Sequence, residues 1–380
     1  MAENKYIKMF TEVGMKDIEL VGGKNASLGE MSQWLTQLGI MIPEGFVVTA
    51  DAFSVFLEET KIADRIYQKL DKLNTSDIPS LIKTGQEIRE LIRSQKLPID
   101  LKTDLRNSYA HLCHLLGRDS VDVAVRSSAT AEDLPGASFA GQQETFLNVR
   151  GEQALFEACL NCFASLFTDR AISYRVNKGF DHRKVRLSIG VQRMVRSDLA
   201  SSGVIFTLDT ETGSRNVVLV TSSYGLGENI VSGRVNPDEF LVLKDLVEKA
   251  PHPIIRKKLG SKQMRMVYSG HGSQRTKNIE VMPSDQKRYS LENDEIVKLA
   301  SWAIKIESYY SELNEHDTPM DIEWGKDGET GALYILQARP ETVHAISKQD
   351  EFEVMSLKSR SKILLKGKAV GSKIGAGKVR

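Results

Sequence analysis

The chain has 380 residues, too many for one ordinary hydrophobic core, so two or more domains or lobes are expected. Apolar residues make up 41% and charged residues 27%, the usual balance of a globular protein in water. A net charge of +1 gives no overall field for nucleic acid or membrane, so any phosphate site must be a local cluster of basic groups.

The first residues, Met-Ala-Glu-Asn-Lys-Tyr-Ile-Lys, lack the apolar stretch of a signal peptide, and no apolar run approaches a membrane span. A cytosolic protein is expected. Residues 21–31 read Val-Gly-Gly-Lys-Asn-Ala-Ser-Leu-Gly-Glu-Met. Two glycines precede Lys24 and a helical run with Leu28, Met31, Trp34 and Leu35 on one side. A glycine turn at a helix start leaves backbone N–H groups free, and the helix dipole adds positive potential. Lys24 is then well placed for a phosphate, although the Walker spacing is missing. A capped helix with a solvated lysine fits the same residues.

Residues 43–48 read as a short strand, with Asp51 capping a helix that carries Phe53, Phe56 and Leu57. Residues 59–118 read as mostly helical, with an apolar stripe through Ile82, Ile88, Leu91 and Ile92, and Cys113 in a similar pattern. Residues 121–149 predict a strand ending in Arg126, a long connection with glycines at 136 and 141, and a returning strand. A loop of small and hydroxyl residues can close over a phosphate chain, and its length points to function with Arg126 at its base. One helix is expected over 151–176. Its Cys159 and Cys162 form a C-x-x-C, but they share a helical stripe with Leu155, Phe156, Phe163, Leu166 and Phe167. Core cysteines are therefore expected, not a zinc or redox site, and three cysteines do not suggest a disulfide framework.

Strands are predicted at 185–195, 201–207 and 216–221, the last leading to a Gly225-Leu226-Gly227-Glu228 turn. Further strands are expected at 238–243 and 263–268. A long amphipathic helix comes next over 291–313, capped by Asn293 or Asp294. Residues 319–340 then predict a β-hairpin, because two alternating runs flank a loop rich in glycine. Asp321 and Glu323 share one face of their strand, with Met320 and Ile322 on the other, and on the return strand Gln337 and Arg339 share a face opposite Leu336 and Ala338. If Glu323 lies opposite Gln337, Asp321 lies opposite Arg339. That register gathers ligands suited to Mg²⁺ and a guanidinium suited to phosphate, although cross-strand charge pairing on a solvated face explains the same residues. Residues 346–360 read as a charged linker, and residues 361–380 as the glycine-rich start of a further domain. The chain is expected to be part of something longer.

Four separated blocks carry a resemblance: GGKNASLGEM (22–31), AVRSSATAEDLPGASFAGQQETFLNV (124–149), VQRMVRSDLASSGVIFTLDTETG (191–213) and MDIEW with ILQARPET (320–342). Together they resemble the ATP-binding domain of the phosphoenolpyruvate synthase (pyruvate, water dikinase) family. The resemblance implies an α+β ATP-grasp fold with the nucleotide cleft between two lobes, here 1–195 and 196–345. It implies ATP and Mg²⁺ as ligands. Lys24 and Arg126 would contact phosphates, Gly141 and Thr145 would contact ATP, and Gln192 would line the nucleotide cleft. Glu323 and Gln337 would bind the metal, and Arg339 the transferring phosphoryl group. The family's other partners are a phosphocarrier histidine domain, of which residues 361–380 would be the truncated start, and a pyruvate-binding barrel. The rival expectations are a rifamycin-type antibiotic phosphotransferase and a non-catalytic ATP-binding module. A nucleic-acid binder is disfavoured, since no basic stripe with interleaved aromatics occurs.

Overall fold

The computed structural model describes residues 5–130, 144–269 and 275–341. Most of the glycine loop, Gly141 included, lies outside the described residues, as do the linker and the glycine-rich tail. The described residues form a mixed helix-and-sheet fold. The first five strands are β1 (Ile7–Met9), β2 (Gly45–Val48), β3 (Asp122–Ala129), β4 (Thr145–Arg150) and β5 (Leu187–Arg193). They make one sheet in the order β1-β2-β5-β3-β4. Next come β6 (Ser201–Phe206), β7 (Val217–Tyr224), β8 (Asp238–Leu243) and β9 (Ile254–Lys258), then β10 (Met264–Tyr268) and β11 (Thr276–Glu280), and last β12 (Met320–Lys326) and β13 (Leu333–Pro340). A six-stranded sheet runs β13-β12-β6-β7-β8-β9, and β10-β11 stand as a separate pair. All the described pairings are antiparallel.

The longer helices are α1 (Ile18–Trp34), α2 (Ala50–Glu59), α3 (Ala63–Asp71), α4 (Ile78–Arg93), α5 (Ile99–Leu115), α6 (Glu152–Ser165) and α7 (Asp169–Asn177). Two single turns, α8 (Glu228–Val231) and α9 (Pro283–Gln286), precede the long α10 (Asn293–Asn314). One core joins the five-stranded sheet to α2 and α4–α6 through Phe46, Val125, Ile189, Phe53, Ile88, Leu105 and Phe163. A second lies under the six-stranded sheet, where α10 buries Ile296, Leu299, Trp302 and Ile306. Val21, Ala26, Leu28 and Met31 of α1 belong to that second core, although α1 comes early in the chain. No helix among the described residues is long and apolar enough to cross a membrane.

Several local expectations need correction. Asp51 is not a cap: α2 starts after Thr49, and Asp51 pairs with Arg186 at 2.6 Å. Ile82 is 47% exposed and Leu81 is buried in its place. Strand β3 continues past Arg126 to Ala129, because Ser127 and Ser128 still pair with Ile189 and Ser188 on β5. The expected single helix over 151–176 is two, since Thr168 caps α7 by accepting from the Ala171 N–H at 3.3 Å. Helix α10 is capped one residue early, where the Glu292 N–H donates to Glu295 Oε2 at 3.0 Å. Strands β9 and β11 were not expected: β9 ends in Arg-Lys-Lys, and β11 reads Thr-Lys-Asn-Ile-Glu, neither with the apolar alternation of a strand signal. The cysteines behave as core residues: burial pushes the Cys159 thiol up to about 12 and the Cys162 thiol well above its ordinary range.

One buried contact makes stability depend on pH. Arg175, 1% exposed, donates from Nε to His182 Nδ1 at 2.8 Å and from Nη1 to the Leu166 carbonyl. Burial, reinforced by Arg175, lowers the His182 pKa from 6.5 to about 4. The unfolded chain therefore binds the extra proton first. Stability is full above about pH 6.5 and should fall as pH drops from there toward 4. His182→Gln keeps an acceptor for Arg175, so its melting temperature should vary less with pH across that window. An unchanged pH profile in the variant would remove His182 as the cause.

Candidate functional site

The two large sheets face each other across a cleft of about 580 Å³. Strand alternation decides what lines the first wall. Ala124 and Arg126 fall on one face of β3, opposite Gln192 on β5 and Thr145 on β4 respectively. Leu147 and Met194 extend the same wall. The other wall carries Glu323 from β12 and Leu336, Gln337 and Arg339 from β13, with Leu226, Gly227 and Glu228 beside them.

Lys24 closes one side of the cleft. Its position depends on Gly22, which interrupts α1 with a φ of +72°. A Cβ there would sit 2.7 Å from the Ser128 carbonyl oxygen on β3, so only glycine lets the helix restart this close to the strand. Asn25 Nδ2 donates to Ser188 Oγ on β5 at 3.0 Å and fastens the restarted helix to the first sheet. Lys24 therefore stands at a helix start beside β3 and β5.

Two donors in the first wall are left incomplete. Gln192 is 2% exposed, and its Nε2 has no partner among the described residues. Arg126 Nε has none either. Its Nη1 lies 3.8 Å from Glu323 Oε2 on the opposite wall, an ion pair beyond hydrogen-bond length. Buried donors without acceptors are costly, so both suit a ligand that brings acceptor atoms. Next to Gln192, the residues Ala124, Met194, Leu226 and Leu147 pack into a small apolar cluster. The cleft thus has an apolar end with one unmet amide and a basic end with Lys24, Arg126 and Arg339.

The hairpin has the register expected from its sequence: Asp321 opposite Arg339 and Glu323 opposite Gln337. Asp321 Oδ2 accepts from Arg339 Nε at 2.9 Å and Nη2 at 2.8 Å. Burial pushes the Asp321 carboxyl up, and the guanidinium only partly pulls it back. A bulge between Glu323 and Trp324 leaves Leu336 without a cross-strand partner. Leu336 then lines the cleft with Gln337, whereas alternation alone placed it on the far face. No group of three or more His, Cys, Asp or Glu residues suited to a metal occurs among the described residues. A metal here would take one carboxylate, one amide oxygen and oxygens from ligand and water, a set that suits Mg²⁺.

Of the residues singled out in the sequence, Lys24, Arg126, Thr145, Gln192, Glu323, Gln337 and Arg339 all line this cleft. Gly141 lies outside the described residues. Arg170, Ser197 and Glu228 line it too and were assigned no part beforehand. Arg170 reads as an ordinary first-turn residue of α7, and Ser197 sits in a common kind of polar turn. For Glu228 the Gly-Leu-Gly turn before it was the only signal.

The sequence profile of the family described as "Pyruvate phosphate dikinase, AMP/ATP-binding domain" matches residues 18–360. Phosphoenolpyruvate synthase of Synechocystis sp. is 50% identical over 382 residues, which cover 100% of this chain and 47% of that protein. The phosphoenolpyruvate synthase of Aquifex aeolicus is 51% identical over 374 residues, 97% of this chain and 44% of that protein. That of Escherichia coli is 50% identical over 375 residues, 98% of this chain and 46% of that protein. The chain spans about half the length of these curated relatives.

Proposed function

The chain belongs to the pyruvate phosphate dikinase AMP/ATP-binding domain family, and on that premise we propose that its cleft binds ATP with Mg²⁺ as the nucleotide-binding part of a phosphoenolpyruvate synthase. The observation that carries this reading is the pair of unmet donors, Gln192 Nε2 and Arg126 Nε, in a cleft that is apolar at one end and basic at the other. The base enters the apolar end, where Gln192 supplies an N–H. The phosphates extend toward Lys24, Arg126 and Arg339, with Thr145 beside them. Asp321 holds the Arg339 guanidinium in place. Glu323 and Gln337 hold Mg²⁺, which neutralises phosphate charge when bound. The fold is read as ATP-grasp, with lobes at 1–195 and 196–345 meeting at the cleft. A cytosolic location fits the composition.

The overall reaction proposed is ATP, pyruvate and water giving AMP, phosphoenolpyruvate and phosphate. It runs through a carrier histidine, then a pyruvate-binding barrel. We place both in regions of the relatives that this chain does not span. The test uses these 380 residues alone. Calorimetric titration should show Mg²⁺-dependent ATP binding, and a coupled assay should show no AMP formation driven by pyruvate at enzyme-like rates. Absence of ATP binding would remove the reading; turnover of pyruvate would move the carrier step into this chain.

A further inference from the structure

Ser27 and Tyr310 lie outside the cleft, yet they join the elements that furnish both its basic groups and its metal ligands. Ser27 sits on α1 three residues after Lys24, and is 5% exposed. Its Oγ lies 2.6 Å from the Tyr310 hydroxyl on α10 and 2.7 Å from the Ala338 carbonyl oxygen on β13. Tyr310 is 1% exposed. The direction of the two bonds is set by chemistry. A carbonyl only accepts, so the single Ser27 hydroxyl proton goes to Ala338, and the Tyr310 hydroxyl donates to Ser27 Oγ, with the Ser27 carbonyl a longer second acceptor at 3.4 Å. Burial pushes the Tyr310 phenol up, which keeps it a neutral donor.

The place where this chain of bonds ends matters. Strand β13 is at the edge of its sheet, so its outward carbonyls have no neighbouring strand. Ala338 stands between Gln337 and Arg339, both of which line the cleft. The hydroxyl of Ser27 thus fixes that edge against the helix that carries Lys24. A second backbone anchor of β13 is the Ile335 N–H, which donates to the Met41 carbonyl at 2.9 Å, three residues before Ala338. We infer that Ser27 and Tyr310 are a positioning pair, setting the spacing of Lys24 on one side of the cleft and Gln337 and Arg339 on the other to the length of a polyphosphate. This role rests on the reading of the cleft as an ATP site.

The test separates positioning from plain packing by comparing two nucleotides. A misplaced strand costs contacts to the β- and γ-phosphates, whereas general loosening costs binding of any nucleotide. With Mg²⁺ present, Ser27→Ala should weaken ATP roughly tenfold, the loss of about one charge-assisted phosphate contact, and leave AMP within about twofold. Tyr310→Phe keeps the bond to Ala338 and should act in the same direction with a smaller effect. It serves as the test if Ser27→Ala does not fold. In a Lys24→Ala background either change should add little, because the spacing it disturbs no longer matters. Equal losses for ATP and AMP, or unchanged ATP affinity in both variants, would overturn the pair. Failure of the unmodified chain to bind ATP would instead overturn the reading of the cleft.

Discussion

Arg126→Ala is expected to weaken ATP binding by at least about tenfold while costing the unliganded chain about 1 kcal/mol or less. The reason lies in what Arg126 does without a ligand. Its side chain is 18% exposed, its Nε has no partner among the described residues, and its ion pair with Glu323 is stretched to 3.8 Å. Such a pair, still partly open to water, adds little to stability. A phosphate oxygen at hydrogen-bond distance is a different partner, because a charge-assisted bond contributes about 1.5–3 kcal/mol. The alanine variant also leaves Thr145, directly across β3 and β4, in place, so the strand pairing survives. Calorimetry with ATP and a thermal melt without it measure the two quantities separately. A large drop in melting temperature with ATP affinity retained would make Arg126 a structural residue and move the phosphates elsewhere in the cleft.

The parts of this site that were legible in the sequence are those set by strand period. Asp321, Glu323, Gln337 and Arg339 alternate in runs short enough for one register to be favoured, and the structure has that register. Leu336 escaped the same logic, because a bulge adds one residue to a strand and flips the side chains beyond it without a mark in the sequence. Arg126 was legible as a strand residue but misplaced at the strand end. The serines after it look like loop residues, and only the long-range pairing with β5 keeps them extended. On α4 the choice between Leu81 and Ile82 is a rotation of one residue, which two adjacent apolar side chains do not resolve. The largest gap is α1. Its glycines and lysine were visible, but nothing local indicates that Val21, Ala26, Leu28 and Met31 complete a core whose sheet begins at Ser201. The contact between Ser27 and Ala338 is equally hidden, since the two stand 311 residues apart.

Glu323→Gln should abolish most of the gain in ATP affinity that Mg²⁺ confers, and Asp321→Asn should not. Both carboxylates lie on one face of the same hairpin strand, but only Glu323 lines the cleft, and their partners differ. Asp321 already accepts two bonds from Arg339, at 2.9 and 2.8 Å, and has little left to offer a metal. Glu323 has a long contact to Arg126 and faces the Gln337 amide across the strands. When phosphate draws Arg126 away, the Glu323 carboxylate is left with the amide oxygen beside it, and a divalent cation suits that pair. Removing the charge at 323 keeps the shape and loses the strongest metal ligand. ATP affinity with Mg²⁺ should therefore fall about tenfold, the scale of one charge-assisted interaction, while affinity in excess chelator changes by less than about threefold. Asp321→Asn frees Arg339 to wander, so it should weaken ATP modestly and by the same factor with or without Mg²⁺. Titrations of the three proteins in both buffers decide between these outcomes. An equal loss for Glu323→Gln in both buffers would mean that Glu323 serves only to hold Arg126, and the metal would then need other ligands in the cleft.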